Sequence, residues 1–355
     1  MKRKKMGIEF EFFEAGCGDS ILVSTDEGNG TNILIDGGMS TTYQDEICYR
    51  LDGLDKLDLV VVTHIDNDHI CGIMELLNDT YNRPKIKKFW FNMASEKMMF
   101  NSSNHSEIGQ GQGTLFTHFI SQFQIPFVNN IYLDENAQDN NLFFVGSDIK
   151  LTLLSPSKKS LEKLRDKWNM NEVLRDCNGR QVEIGATNRP IDRRELATLN
   201  DIKFGLETSL TNKTSIAFIL HYKDKKFLLL GDADIKTINI QLKELGYAKN
   251  NKLCVEFVKL SHHGSKKNIN NEFLELIETD TFMTLTDGTH PNNSKYKHPD
   301  KETYSLILNH EDRAENINFY FNYSEPIEKK FPRNMNEEVK YKFNLDKKNL
   351  LEFDV

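Results

Sequence analysis

Thr63-His64-Ile65-Asp66-Asn67-Asp68-His69-Ile70-Cys71-Gly72 decides how this chain is read. Four side chains able to ligate a metal fall within six positions, directly after the apolar run Leu59-Val60-Val61-Val62. A run of that kind predicts a strand covered on both faces, Asp58–Thr63. In an extended segment His64, Asp66 and Asp68 lie on one side. Asp68 and His69 then open a helix expected over Ile70–Leu77. Imidazole with carboxylate suits Zn²⁺, Mn²⁺ or Fe²⁺, and two His plus two Asp can serve more than one ion. A single His-x-Asp would read as a polar loop with a helix-capping Asp; this density reads as metal.

Two later strand ends support that reading. Gly231-Asp232 follows the apolar strand Phe227–Leu230, and Ser261-His262-His263-Gly264-Ser265 follows the predicted strand Cys254–Leu260. A lone Asp after a strand is usually a turn former, and a lone His pair is usually a solvated loop. Three strand ends that each deliver ligand types point to one site.

Outward from these segments the pattern is regular. Strands are predicted at Gly7–Phe13, Ile21–Thr25, Thr31–Ile35 and Ile86–Phe91, with helices at Tyr43–Leu51 and Leu115–Phe123 and strands near Leu142–Leu154. A second half repeats the alternation: Thr214–Leu220, Lys226–Leu230, a helix from Ile235, Cys254–Leu260, a helix from Asn270 and Thr281–Leu285. Two successive halves of this kind predict an α/β chain with two mixed sheets sandwiched between helices. Single cores stop growing near ~250–300 residues, and this chain has 355. One domain over 1–311 is therefore expected, with a polar insertion at about 157–211 as a lid or interface. Residues 312–355 read as a C-terminal extension with extra strands, Ile317–Tyr323 and Val339–Phe343.

The composition, 38% hydrophobic and 28% charged, is that of a soluble globular protein. A net charge of −8 argues against a chain held on nucleic acid by general electrostatics alone, since phosphate contacts need a local excess of Lys and Arg. No apolar run reaches the ~18 residues of a membrane span. Glu9, Glu11 and Glu14 interrupt the apolar stretch behind the basic start, so a strand is expected there in place of a signal peptide. A cytoplasmic protein without a membrane partner is the expectation. Cys17, Cys48, Cys71, Cys177 and Cys254 are odd in number and form no CxxC, so reduced thiols are expected and no cysteine nucleophile.

In order, HxDxDH, a strand ending in Gly-Asp and SHHGS resemble the metallo-β-lactamase-fold hydrolases. The likeness extends most closely to the β-lactamase-like domain of ComEC-type DNA-uptake proteins and its free-standing relatives. Asp19-Ser20, Asp36-Gly37-Gly38, Leu154-Ser155-Pro156, Asn212-Lys213-Thr214-Ser215 and Lys297-His298-Pro299 add to the likeness, which spans about residues 7–310. The resemblance implies an αββα sandwich. It also implies that His64 and Asp66 hold one metal and Asp68 and His69 the other, with Asp232 as the bridging carboxylate. One of His262 and His263 would complete the second position, His263 being preferred. Asp36 would support the first-motif loop from behind, and His298 would stand near the mouth, toward substrate or leaving group. Asp66 stands where many relatives have histidine, and Asn212–Ser215 lacks the histidine of their third motif; ComEC-type domains share both departures. His105 and His118 are the remaining candidates for that position, whereas His221, His290 and His310 read as structural or solvated.

The implied activity is hydrolysis by a hydroxide held on Zn²⁺ or Mn²⁺, one or two ions per chain, with Asp68 also orienting it. A phosphodiesterase acting on nucleic acid or a nucleotide is the leading expectation. A lactone or thioester hydrolase is the alternative, and a non-catalytic metal-binding regulatory module the third reading. Lys158, Lys159, Lys163, Arg165, Lys167, Arg189, Arg193 and Arg194, with Trp168 among them, form a candidate backbone-contacting patch; interspersed acids favour a solvated helix face instead. A homodimer is left open as the assembly.

Overall fold

Strand β1 (Gly7–Phe12) alternates: Ile8, Phe10 and Phe12 are buried, while Glu9 and Glu11 face Arg50 at 3.3 and 2.5 Å. It leads into β2 (Ile21–Thr25) and β3 (Asn32–Ile35), both antiparallel to their predecessor. A helical stretch, α1 (residues 40–52), then crosses to β4 (Leu59–Val61), which lies parallel to β3. Helix α2 (Asn67–Asn78) leads on to the short parallel strands β5 (Phe89–Trp90) and β6 (Phe127–Val128). The computed structural model describes residues 7–26, 30–92, 120, 122–134, 141–170, 204–289, 298–312, 314–324, 341–345 and 349–354.

The second sheet begins with the hairpin β7 (Leu142–Val145) and β8 (Ile149–Ser155), followed by helix α3 (Lys158–Met170). Antiparallel strands β9 (Ala217–Tyr222) and β10 (Lys225–Leu229) continue it, then helix α4 (Ile235–Glu244). The predicted strand Cys254–Leu260 is two strands. Leu253–Cys254 (β11) pairs outside the main sheets, and Val258–Lys259 (β12) pairs with β10. The sequence pattern did not show the break, because Leu253 and Val255 of the first piece and Val258 and Leu260 of the second pack into one core. Helix α5 (Asn271–Leu276) is capped by the Asn270 side chain, which accepts from the Phe273 amide at 2.9 Å. It leads to β13 (Ile277–Glu278), the partner of β11, and then to β14 (Thr281–Thr284). Helix α6 (Lys301–Asn309) precedes β15 (Ile317–Phe321), β16 (Tyr341–Leu345) and β17 (Leu350–Asp354).

One sheet runs β17-β1-β2-β3-β4-β5-β6, and the other β16-β15-β14-β12-β10-β9-β8-β7. The period-2 alternation of side chains divides each central strand between two cores. Leu59 and Val61 of β4, with Phe227 and Leu229 of β10, fill the space between the sheets. Val60 and its neighbour Val62 pack instead on α1 and α2, and Leu228 and Leu230 pack on α4 to α6. Helices, sheet, sheet, helices is therefore the layer order, an αββα sandwich. Its seam is aromatic, with Phe10 and Phe227 rings at 4.5 Å and Phe227 and Phe353 at 4.9 Å. Phe353 belongs to β17, a strand the sequence pattern did not announce. Among the described residues no helix is long and apolar enough to cross a membrane.

The central strands of each sheet are parallel, β3 to β6 in one and β10 to β16 in the other. Open α/β sheets bind ligands beyond the carboxyl ends of such strands, and here the ligand-bearing loops of both sheets leave at those ends.

Candidate metal centre

Beyond β4 the chain stays extended through Asp66 (φ −71°, ψ 147°) and then turns into α2 at Asn67. The helix thus starts three residues before the expected Ile70. Asp68 and His69 reach inward from its first turn, so only His64 and Asp66 come from extended backbone. The His69 amide donates to the Asp66 carbonyl at 3.0 Å, which closes that turn. The start is locked by close backbone approach: a Cβ on Gly72 would lie 1.9 Å from the Gly37 carbonyl oxygen, and one on Gly18 would lie 1.7 Å from that of Asp68.

Asp36, at the end of β3, holds this loop from behind. Its carboxylate accepts from the Thr63 amide (2.8 Å), the Thr63 hydroxyl (2.7 Å) and His69 Nδ1 (2.8 Å). The Thr63 hydroxyl, committed as donor to Asp36, accepts from His64 Nδ1 at 3.1 Å.

From the other sheet, Gly231 (φ 50°) turns the chain so that Asp232 emerges buried at the end of β10. After β12, His262 (φ 49°, ψ 53°) and His263 (φ 52°, ψ 30°) are both left-handed. Extended backbone would send these rings to opposite faces. The left-handed pair instead brings both Nε2 atoms to 3.8 Å from Asp232 Oδ2. His263 Nδ1 donates to the Leu285 carbonyl at 2.9 Å, and His262 Nδ1 faces Glu207 Oε2 at 3.1 Å and Asn268 Oδ1 at 3.3 Å.

Each of four imidazoles therefore has Nδ1 beside an acceptor and its Nε2 turned inward. Carboxylate–histidine pairs behind metal ligands fix ring tautomer in this way. Inside, His64 Nε2 lies 3.6 Å from Asp66 Oδ2 and 3.9 Å from Asp232 Oδ2. His69 Nε2 is 3.6 Å from Asp232 Oδ1, and His263 Nε2 is 3.4 Å from Asp68 Oδ2. Nε2 of His64, His69 and His263 and Oδ1 of Asp232 are buried with no hydrogen-bond partner among the described residues. Buried polar atoms are otherwise paired. Donor atoms of His64, His69 and Asp232 all lie within 4.8 Å of one another, as do those of Asp68, His69 and His263. This donor set fits divalent cations.

Charge follows the same logic. Burial works against the imidazolium of His263, but Asp232 and Asp19 outweigh it and push the ring up to about 10. Burial also opposes the Asp68 carboxylate, yet His69 and His263 hold it well below the usual carboxylate range. A cluster that pulls protons onto its own imidazoles is one that a bound cation would relieve. Cys17, buried beside it, has its thiol pushed far up by burial and by Asp68.

His298 stands at the rim, its ring 4.7 Å from that of His262. His221 lies away in β9, bonded to Thr152 at 2.9 Å, and His310 lines a separate hollow with Lys252 and Asp312. His105, His118 and His290 lie outside the described residues, as do Cys177 and Arg189, Arg193 and Arg194 of the basic patch. Of that patch, Arg165 donates to Asn129 at 2.9 Å and Lys158 sits 5.7 Å from the Tyr132 ring centre. Sequence reasoning missed Glu207 and Lys259 altogether. Lys259 carried a signal, a charge set between Val258 and Leu260 in an apolar run. Glu207 carried none.

The sandwich and its site define a protein of the metallo-β-lactamase fold. Residues 17–147 match the family model described as Metallo-beta-lactamase superfamily, a span that holds His64, Asp66, Asp68 and His69 and ends before Asp232. No curated protein matches the chain. Among solved structures, the metallo-beta-lactamase fold protein YhfI from Bacillus subtilis is similar at 8% identity and TM-score 0.45, over 99% of this chain and 100% of that one. Zn²⁺-bound PqqB from Methylobacterium extorquens is similar at 9% identity and TM-score 0.45, over 98% and 100%. A diphosphatase from the PhnP family gives 13% identity and TM-score 0.42, over 99% of each chain.

Proposed function

We propose that the chain is a metal-dependent hydrolase of phosphodiesters, with nucleic acid or a nucleotide as substrate. The observation that carries this reading is the set of imidazoles whose Nδ1 atoms are tied outward while their Nε2 atoms converge, unpartnered, on Asp232. His64 and Asp66 form a first position, Asp68, His69 and His263 a second, and Asp232 lies between them. Bound divalent ions would lower the pKa of a water toward neutrality and steady the attacking and leaving oxygens of a displacement at phosphorus. Asp68, kept ionised by His69 and His263, orients the attacking water. His298, at the rim, faces the leaving group. Asp66 in place of an imidazole favours harder ions such as Mn²⁺ beside Zn²⁺ at the first position. The preference for phosphorus rests on the combined HxDxDH and SHHGS motifs and their likeness to ComEC-type domains. The polar stretch at about 157–211 governs access or assembly.

The test is a side-by-side assay of the Zn²⁺- and Mn²⁺-loaded chain on a nitrophenyl phosphodiester, single-stranded DNA, a lactone and a chromogenic cephalosporin. Fastest cleavage of a phosphodiester is expected. Preference for the lactone or the cephalosporin would overturn the assignment.

A further inference from the structure

Among the described residues the first position has a gap. His64, Asp66 and shared Asp232 give it three ligands, and Asn212–Ser215 contains no histidine. We infer that His262 supplies the missing ligand to that position and that Glu207 is its positioning residue; this rests on the two-position reading above.

Three observations carry it. The first is placement. Asp232 Oδ2 has His64 Nε2 at 3.9 Å and His262 Nε2 at 3.8 Å, whereas His263 Nε2 lies closest to Asp68, on the second position's side, at 3.4 Å. His262 stands just outside the tightest donor groups, and its side chain keeps 24% exposure, so the ring has room to close on an ion.

The second is backbone. Two consecutive non-glycine residues in the left-handed region cost about 1–3 kcal/mol each. Only with both in that conformation do His262 and His263 face the same carboxylate.

The third is Glu207 itself. Its carboxylate is 3% exposed, and a buried charge is costly unless it is paired. Oε1 accepts from the Ser209 amide at 2.7 Å, and Oε2 accepts from Asn212 Nδ2 at 3.2 Å and from His262 Nδ1 at 3.1 Å. Oε1 thus anchors the carboxylate, and Oε2 holds the ring with its Nε2 toward the site. The segment that lacks the expected histidine contributes Asn212 to this holder instead. Thr211, beside it, donates to Asp66 Oδ2 at 3.2 Å, so the same short stretch braces two ligands of one position.

The experiment is metal counting on the full chain, by elemental analysis and by calorimetric titration of the stripped protein with Mn²⁺ and Zn²⁺. The native chain should take two ions, and His262→Ala one. His64→Ala should also take one, and the double variant His64→Ala/His262→Ala should lose no second ion. Glu207→Ala should weaken only the first-position step, by about 10–100-fold as for partners behind a metal ligand, and Glu207→Gln, which keeps an acceptor, should weaken it less. Co²⁺ absorption in Glu207→Gln should change for one ion only. If His262→Ala binds two ions with native affinities, His262 is no ligand, and a fall in turnover alone would then mark it as a proton donor. If His262→Ala does not fold, the Glu207→Gln titration decides: native affinity at both steps overturns the inference. A native chain that takes no divalent ion would remove the hydrolase reading as well, which separates the two failures.

Discussion

The ammonium of Lys259 meets the carboxylate of Asp19 beneath the metal centre, both side chains almost wholly buried, and Asp19 also faces His263 Nδ1 at 3.3 Å. Lys259 belongs to β12 and Asp19 to the loop before β2, so the pair ties the two sheets together behind the site. The same ammonium also donates to the Gly231 carbonyl at 3.3 Å, directly before Asp232. Removing one partner of a buried pair costs about 3–5 kcal/mol, because the other charge is left uncompensated. Lys259→Met should therefore lower stability by an amount in that range, read from urea unfolding. A loss under ~1 kcal/mol, the scale of an exposed pair, would show that the pair is wetted and not structural.

In the proposed site Asp68 is a ligand of the second position, reaching it from the first turn of α2. Asp68→Ala and His69→Ala should abolish hydrolysis while circular dichroism stays native. A folded Asp68→Ala protein with native turnover would remove the central claim about the site.

The start of α2 depends on Gly72. A Cβ there would meet the Gly37 carbonyl oxygen at 1.9 Å, and backbone cannot move aside as a flexible side chain can. Gly72→Ala should cost about 2–3 kcal/mol, in the range of overpacked sites, and should weaken metal binding with it. Unchanged thermal unfolding would mean that the contact opens easily.

His221 gives a pH dependence independent of metal. Burial, with Lys150 and Lys226 beside it, holds the ring down to about 4 from an ordinary 6.5. The unfolded chain takes up this proton near pH 6.5, but the folded chain does so only near 4. Stability from this group is whole above 6.5 and is lost as pH falls toward 4. His221→Gln, which can keep the bond to Thr152, should lose less stability between pH 7 and 5 than the native chain. Equal losses in the two urea curves would refute the assignment.

The fold was legible in the sequence where side chains alternate or form apolar runs next to glycine turns. The strand before His64 and the carboxylate after β10 were readable because strand ends are punctuated by Gly and Asp. Strand β17 was not, since Leu350–Asp354 becomes a strand only by pairing with β1 across the length of the chain. The resemblance implied only one ligand from the pair, with His263 preferred, and a regular backbone would present one ring at a time. Two left-handed residues in succession follow no periodic rule, and here they present both. Glu207 was invisible for a related reason: a carboxylate in a polar stretch looks solvated until the fold closes over it.

The site draws on both sheets, with Asp36, His64, Asp66, Asp68 and His69 from one and Asp232, His262 and His263 from the other. Ions held by ligands from both would act as rivets through the sandwich, with Asp36 bracing His69 from behind, and the chain's resistance to unfolding would become a function of trace-metal supply. At a free-ion concentration of about one hundred times Kd the gain is about 2.7 kcal/mol. Chelation should therefore lower Tm, and restoring the ion should raise it in proportion to the logarithm of its concentration. Sequestering metal would then release the grip of one sheet on the other and leave a looser, more protease-sensitive form of the same polypeptide.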